Sequence, residues 1–297
     1  MAKIRIQFTL FSAFYSPLIS AMSAGFLKAE GLDPDWSVAP AGVSALAALN
    51  DGSAHIVQSA LSQGFASLNK GETPGAVHFA QINEMDGFFL TGREADPAFA
   101  WKKLEGAEVV MFKDGQPLVM FKYACHKAGI DFDKIKPIRL GSAAEIDRAF
   151  RQGQGLYVQQ QGPYPQQLQA DGIGHVVAQV GKQIGPCGFS SVAATRDWLK
   201  TDMARAFMRA YRKTRAYMND TPAAEIARAE KPYFPDTDES VLADCIATYQ
   251  RLGCWTRHVE ITHAAYERTL DVYEYNGLLK QRHRYEQVCA APPAADH

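Results

Sequence analysis

The stretch FTLFSAFYSPLISAMSAGFLKAEGLDPDW, residues 8–36, contains a strand end, an aromatic loop, a helix and the start of a second strand. The apolar run KIRIQFTLF, residues 3–11, leads into Phe11, Ser12, Phe14 and Tyr15, and then into Ser16-Pro17. Serine is a favoured helix N-cap and proline suits the first helical turn, so a helix capped by Ser16 is predicted. Gly31 is its expected C-terminal stop, since glycine reaches left-handed backbone without a Cβ penalty. DPDWSVAPA follows as the second strand. Aromatic side chains at the tip of a strand-to-helix connection either pack on the core or face a ligand. The rest of the chain has to decide which.

Outward from that stretch the same unit repeats. GVSALAALNDG (42–52) and LSQGFASLNKG (61–71) read as helices around the strand AHIVQSA (54–60). A second series restarts with the strand AEVVMF (107–112) and a helix beginning near Gln116 and Pro117. It continues through IKPIRLG (135–141), SAAEIDRAFRQG (142–153), LYVQQQG (156–162) and PYPQQLQADGIG (163–174). Alternating strands and helices imply α/β architecture with mostly parallel sheets covered by helices. From about residue 198 the chain is helical, with apolar residues at i, i+3, i+4 and i+7. DESVLADCIATYQRL and THAAYERTLDVYEYNGLL are two further helices, and the tail AAPPAADH is expected to be disordered. Two lobes are expected: residues 1–90 with 194–297, carrying the C-terminal helices, and residues 91–193. Their cleft should lie at the carboxyl ends of the strands, where open α/β sheets bind ligands.

Bulk composition excludes several classes. Lys and Arg total 31 against 32 Asp and Glu, with no basic stripe, so nucleic acid is not an expected partner. No run of 18 apolar residues is present, which excludes a helical membrane span. Met1 leads straight into a strand with no secretory pattern, so a cytoplasmic location is expected for the chain as it stands, and a periplasmic one if its start has been trimmed. The five cysteines, Cys125, Cys187, Cys245, Cys254 and Cys289, contain no CxxC pair and suggest neither zinc nor a disulfide framework. His258 and His263 in CWTRHVEITH are five apart and share no helical face, so no metal site is read there. No nucleophile elbow, HExxH or GxGxxG occurs, and no cofactor is expected.

Four segments carry a resemblance: AMSAGFLKAEGLD (21–33), APAGVSALAALNDGSAHI (39–56), KKLEGAEVVMF (102–112) and QQQGPYPQQLQADGIG (159–174). In this order, over about residues 4–275, they resemble the type II periplasmic solute-binding proteins. The branch is that of the sulfonate-, nitrate- and taurine-binding proteins and the thiamine-pyrimidine synthases. The resemblance implies a two-lobed fold that closes on a small ligand by rotation about two crossovers, here near residues 88–92 and 190–195, and an ABC-transporter permease as partner. It also shows departures. Where the pyrimidine synthases carry a Lys and a His, this chain has Ser59 and Gln63, and in place of their Cys-rich motif it has only GPCGFSS (185–191). Ser59 cannot form an imine with pyridoxal phosphate, which argues against that synthase chemistry.

The expected cleft lining follows. Phe11, Ser12, Phe14 and Tyr15 would form one wall by stacking and hydrogen bonding. Gly42-Val43-Ser44, Gly115-Gln116 and Gly141-Ser142 mark three helix starts whose amides could hold an anion. Gln58, Ser59, Gln161 and Tyr164, in an amide-rich setting with Gln159 and Gln160, suit a ligand of mixed donors and acceptors such as a heteroaromatic ring. Phe89, Cys187 and Phe189 lie beside the crossovers. The expected ligand is therefore a small heteroaromatic, carboxylate or sulfonate compound, bound by a monomer or weak dimer. The alternatives are a cytosolic enzyme on the same fold, for which Cys187, His55 and Arg139 are the candidate groups, and a cytosolic sensor.

Overall fold

The computed structural model describes residues 1–40 and 43–294. Two five-stranded sheets organise them. The first takes β1 (Ala2–Phe8), β2 (Leu32–Val38), β3 (Ile56–Ser59) and β4 (Ala76–Asn83) from the start of the chain. Helices α1 (Ser16–Ser23), α2 (Phe26–Ala29), α3 (Ala47–Asn50) and α4 (Ser62–Asn69) connect these strands. The second sheet takes β5 (Phe88–Gly92), β6 (Glu108–Phe112), β7 (Lys136–Leu140), β8 (Tyr157–Gln161) and β9 (His175–Gln179). Its helices are α5 (Gly115–Lys127), α6 (Ala143–Arg151), α7 (Tyr164–Ala170) and α8 (Val180–Ile184). Strand β10 (Ser190–Thr195) then returns to the first sheet, and the chain ends in α9 (Asp202–Asp220), α10 (Ala223–Glu230), α11 (Glu239–Leu252), α12 (His263–Tyr275) and α13 (Tyr285–Val288).

The sheets are mixed rather than mostly parallel. Their orders are β2-β1-β3-β10-β4 and β7-β6-β8-β5-β9, and each contains one strand delivered by a crossover from the other lobe. Such a strand enters in the opposite direction: β10 is antiparallel to β3 and β4, and β5 is antiparallel to β8 and β9. The βαβ pairs stay parallel, with β1 registered on β2 from Ala2↔Leu32 to Phe8↔Val38.

Local chemistry sets the first turn. Ser12, not Ser16, is the capping serine: its Oγ accepts from Phe14 N–H (3.1 Å) and opens a 3-10 turn at Ala13–Tyr15. Ser16 is the first residue of α1, and its hydroxyl turns inward instead. Gly25, at φ +77°, breaks the predicted single helix into α1 and α2. Ser142 caps α6 as expected, accepting from Glu145 N–H (3.2 Å). Ser142→Ala should therefore cost about 1 kcal/mol by urea denaturation; no change in the midpoint would mean that water replaces the cap.

The C-terminal helices are not confined to the first lobe. Helix α11 packs on α10 and also on α7, while α12 packs on α5. Tyr249 of α11 donates its hydroxyl to Gly87 O (2.9 Å) and accepts from Gly162 N–H (2.8 Å), so it touches the first crossover and the second lobe together. Ser12 adds a bond from the first lobe to Gly162 O (2.7 Å). Of the tail, Ala290 N–H donates to His78 O (2.9 Å), a backbone bond on β4, while residues 295–297 lie outside the described residues.

Candidate functional site

A cleft opens between the sheets at the carboxyl ends of β1 and β3 on one side and β6 and β8 on the other, where α/β sheets place ligands. Its main recess encloses about 500 Å³. A narrower aromatic pocket of about 70 Å³ continues from it, sharing Leu10, Phe88 and Phe112. An outer recess of about 480 Å³ adjoins that pocket across Phe11, Pro163 and Tyr164.

The loop after β1 divides between wall and core. Phe11 lines the aromatic pocket and is held by stacking on Trp36 (centroids 4.5 Å apart, planes 22°) and by Phe234 (5.3 Å). Tyr15 lines the main recess, and burial raises its hydroxyl pKa, keeping it a neutral donor. Ser12 lines the pocket but spends its hydroxyl on Gly162. Phe14 does not face the cleft. It is fully buried against Tyr249 (4.7 Å) and Phe189 (5.4 Å), and its ring occupies the space a Cβ on Gly87 would need.

Strand alternation makes a second correction. Phe89 points away from the cleft onto Tyr249 (5.5 Å), and its neighbour Phe88 lines both recesses. Both faces of β5 are buried and apolar, so no sequence pattern distinguishes the two rings. Phe112 and Asp114 are further lining residues that sequence reasoning missed. Their signal was available: they end β6 and open the next connection, as Phe11 does after β1.

The polar candidates separate by commitment. Gln58 lines the recess, but both of its amide atoms are engaged: Oε1 accepts from Thr9 N–H (3.0 Å) and Nε2 donates to Ser190 Oγ (2.8 Å). Gln116 likewise donates to Phe189 O (2.8 Å). Ser59, Gly115 and Phe189 line the recess, as do Val43 and Ser44, whereas Gly42 lies outside the described residues. Gln161 differs from these. Its side chain is 5% exposed and lines the aromatic pocket; neither Oε1 nor Nε2 makes a hydrogen bond of normal geometry, although the amide lies against the Tyr15 hydroxyl. Tyr164 stands beside it, half-buried.

The groups named for an enzyme are not brought together. Cys187 is fully buried outside these recesses, and burial pushes its thiol pKa up, away from a thiolate. His55 accepts from Arg5 N–H (3.1 Å) through Nδ1 as a backbone tie between β1 and the approach to β3. Burial and the Arg5 charge lower its pKa. Arg139 is exposed on β7, an edge strand.

Among the described residues, each of the three helix starts already carries a competing polar or acidic group. Ser44 donates to Gln63 Oε1 (2.8 Å) and accepts from Leu46 N–H (3.3 Å), and Asp114 places a carboxylate at the start of α5. At the start of α6, Glu145 accepts from Gly141 N–H (3.0 Å).

Two lobes joined by paired crossovers, with a cleft at the strand ends between them, define the periplasmic-binding-protein fold. The family model described as NMT1/THI5 like matches residues 13–225, and the chain belongs to that family. It is 29% identical over 292 residues to the protein named "Putative binding protein YtlA" of Bacillus subtilis (strain 168), covering 97% of this chain and 87% of that one. Among solved structures it is similar to the ligand binding component of an ABC-type import system from Staphylococcus aureus (14% identity, TM-score 0.76, 100% of both chains). It is also similar to the alkanesulfonate-binding protein SsuA of Xanthomonas axonopodis pv. citri (18% identity, TM-score 0.71, 95% of both chains).

Proposed function

We propose that this chain is the solute-binding component of an ABC importer and that it encloses a small heteroaromatic ligand between its lobes. The observation that carries this reading is Gln161, whose buried amide has an open donor and an open acceptor among Phe11, Phe88, Phe112 and Tyr164. A buried amide without partners costs stability, and a ligand edge that pairs with both atoms removes the cost. Flat aromatic walls with few polar groups are the usual lining of a site for a planar ring. The family and the binding-protein relatives support the transport role, and the periplasmic placement and permease partner come with it.

A thermal-shift panel of pyrimidines, aromatic acids and sulfonates tests the proposal. A ligand at a hundred times its Kd stabilises the folded chain by about 2.7 kcal/mol, so a true ligand gives a saturable rise in melting temperature. Gln161→Leu should weaken that ligand by roughly tenfold, about 1.4 kcal/mol, while leaving the unliganded protein as stable or more so. Undiminished affinity in the variant would remove Gln161 from the site. A panel without a hit would leave the heteroaromatic assignment unsupported.

A further inference from the structure

We infer that Ser12 and Tyr249 are positioning residues that couple lobe closure to the placement of the Gln161 amide, through a latch on the backbone of Gly162. The consequence for a ligand rests on the reading of Gln161 as its partner; the latch itself does not. Both polar groups of Gly162, in the second lobe, are taken by side chains from outside that lobe. Its N–H donates to the Tyr249 hydroxyl (2.8 Å), which donates its own proton to Gly87 O (2.9 Å) in the first crossover. Its carbonyl accepts from Ser12 Oγ (2.7 Å), on the loop after β1. Ser12 is 6% exposed and Tyr249 fully buried, so both bonds are made out of bulk water. Helix α11, which carries Tyr249, packs on α10 and on the Ala13–Tyr15 turn, and α10 packs on α1. The latch therefore joins the first lobe to the second at one residue.

That residue adjoins the open amide of the cleft. The Gly162 N–H belongs to the peptide plane that follows the Gln161 Cα, so Tyr249 fixes the backbone from which the Gln161 side chain projects. Strand pairing fixes the other side, with Gln161 in register with Phe88. The amide then lies against the Tyr15 hydroxyl, a third group of the first lobe. Position 162 has no room for a side chain: a Cβ would run into Cys245 Sγ and lie 2.9 Å from the Tyr249 oxygen. Further ties, such as Asn276 Nδ2 to Val119 O (3.1 Å) and the Tyr273 hydroxyl to Gln116 Oε1 (3.3 Å), are longer and lie on α5, outside the aromatic pocket. Rotation of the lobes apart breaks the bonds from Ser12 and Tyr249 together, because both hold the same residue. Closure remakes them and returns the Gln161 amide to its place against Tyr15.

The test uses ligand-free protein. Spin labels at Lys28→Cys on α2 and Arg139→Cys on β7, both exposed positions, read the interlobe distance, and the five native cysteines are buried and stay unlabelled. Amide exchange at Gly162 is followed by NMR in the same variants. Tyr249→Phe and Ser12→Ala are each expected to raise the share of molecules at the longer distance by roughly three- to tenfold, the net effect of one hydrogen bond. Ser12→Ala leaves the Tyr249 bond in place, so a similar quickening of Gly162 N–H exchange in that variant is the signature of one cooperative latch. Ser142→Ala, which removes a helix cap as Ser12→Ala also does, should change neither readout. Unchanged distances in either latch variant, Gly162 exchange that quickens in Tyr249→Phe alone, or an equal response in Ser142→Ala would each overturn the latch. No readout involves a ligand, so these outcomes are separate from those of the Gln161→Leu titration.

Discussion

Arg215→Met is expected to cost about 3–5 kcal/mol of folding stability, since it removes a buried charge-assisted donor and leaves its acceptors stranded. Arg215 is fully buried on α9. Its Nε donates to Thr256 O (2.7 Å), Nη1 to Ile82 O (2.7 Å) and Nη2 to Thr256 Oγ1 (2.9 Å). One side chain thereby ties the long C-terminal helix to β4 and to the connection between α11 and α12. Neighbouring Tyr211 extends the tie, donating to Gln81 O (2.9 Å). Methionine keeps most of the aliphatic volume and none of the donors, so packing loss is small and the unpaired carbonyls dominate. Chemical denaturation gives the answer directly. A loss under 1 kcal/mol would mean that water reaches Thr256 and Ile82 in the variant and that the tie is dispensable. Arg215 lines none of the cleft recesses, so ligand affinity of the folded variant should match the parent.

The second large effect is on pH. Glu230 is fully buried on α10, and burial pushes its carboxyl pKa up to about 8 despite hydrogen bonding with Ser20 and Ser16. The geometry agrees with a neutral acid. Ser16 Oγ lies 2.7 Å from both Ala13 O and Glu230 Oε2, and its one proton cannot serve both. With Ser16 donating to Ala13, the Glu230 carboxyl itself donates to Ser16, while Ser20 donates to Oε1 (2.6 Å). In the unfolded chain this acid titrates near its ordinary value of 4.5. Between that value and about 8 the folded state holds a proton the unfolded state has lost, so stability falls as pH rises through this window. Asp86 contributes in the same direction: burial raises its carboxyl to about 7, and its Oδ2 has no partner. We expect the parent to lose roughly 2–4 kcal/mol between pH 5 and 8.5. Glu230→Gln, whose amide can donate to Ser16 and accept from Ser20, should match the parent at pH 5 and exceed it at pH 8.5. Parallel curves for the two proteins would show that Glu230 folds ionised.

Much of the frame was legible in single residues and short patterns. Alternating apolar runs and glycine stops gave most strands and helices, because those signals arise within one turn or one strand. The strands not read from the sequence were β4, β5, β9 and β10, of which β5 and β10 lie in the two stretches read as crossovers. Helix α10 was hidden between two longer helices. The capping serine shows the limit of local reading: Ser12 and Ser16 are both sound caps by type, and the partner of Ser16 is Glu230, far along the chain.

What the sequence by itself determined is the α/β order, the placement of a cleft at the strand ends, and the aromatic and amide character of its lining. These follow from backbone periodicity and side-chain chemistry. The tertiary structure alone decided which candidates remain free to meet a ligand. Gln58 and Gln161 look alike in sequence. The first is spent on Ser190, 132 residues away, and the second has both amide atoms open. It decided likewise that Phe88 and not Phe89 faces the cleft, that the crossover strands run antiparallel, and that α11 spans both lobes. Each depends on contacts between distant segments, such as Ser12 with Gly162 across 150 residues, and no local pattern encodes which distant partner will consume a hydrogen bond or cover a ring.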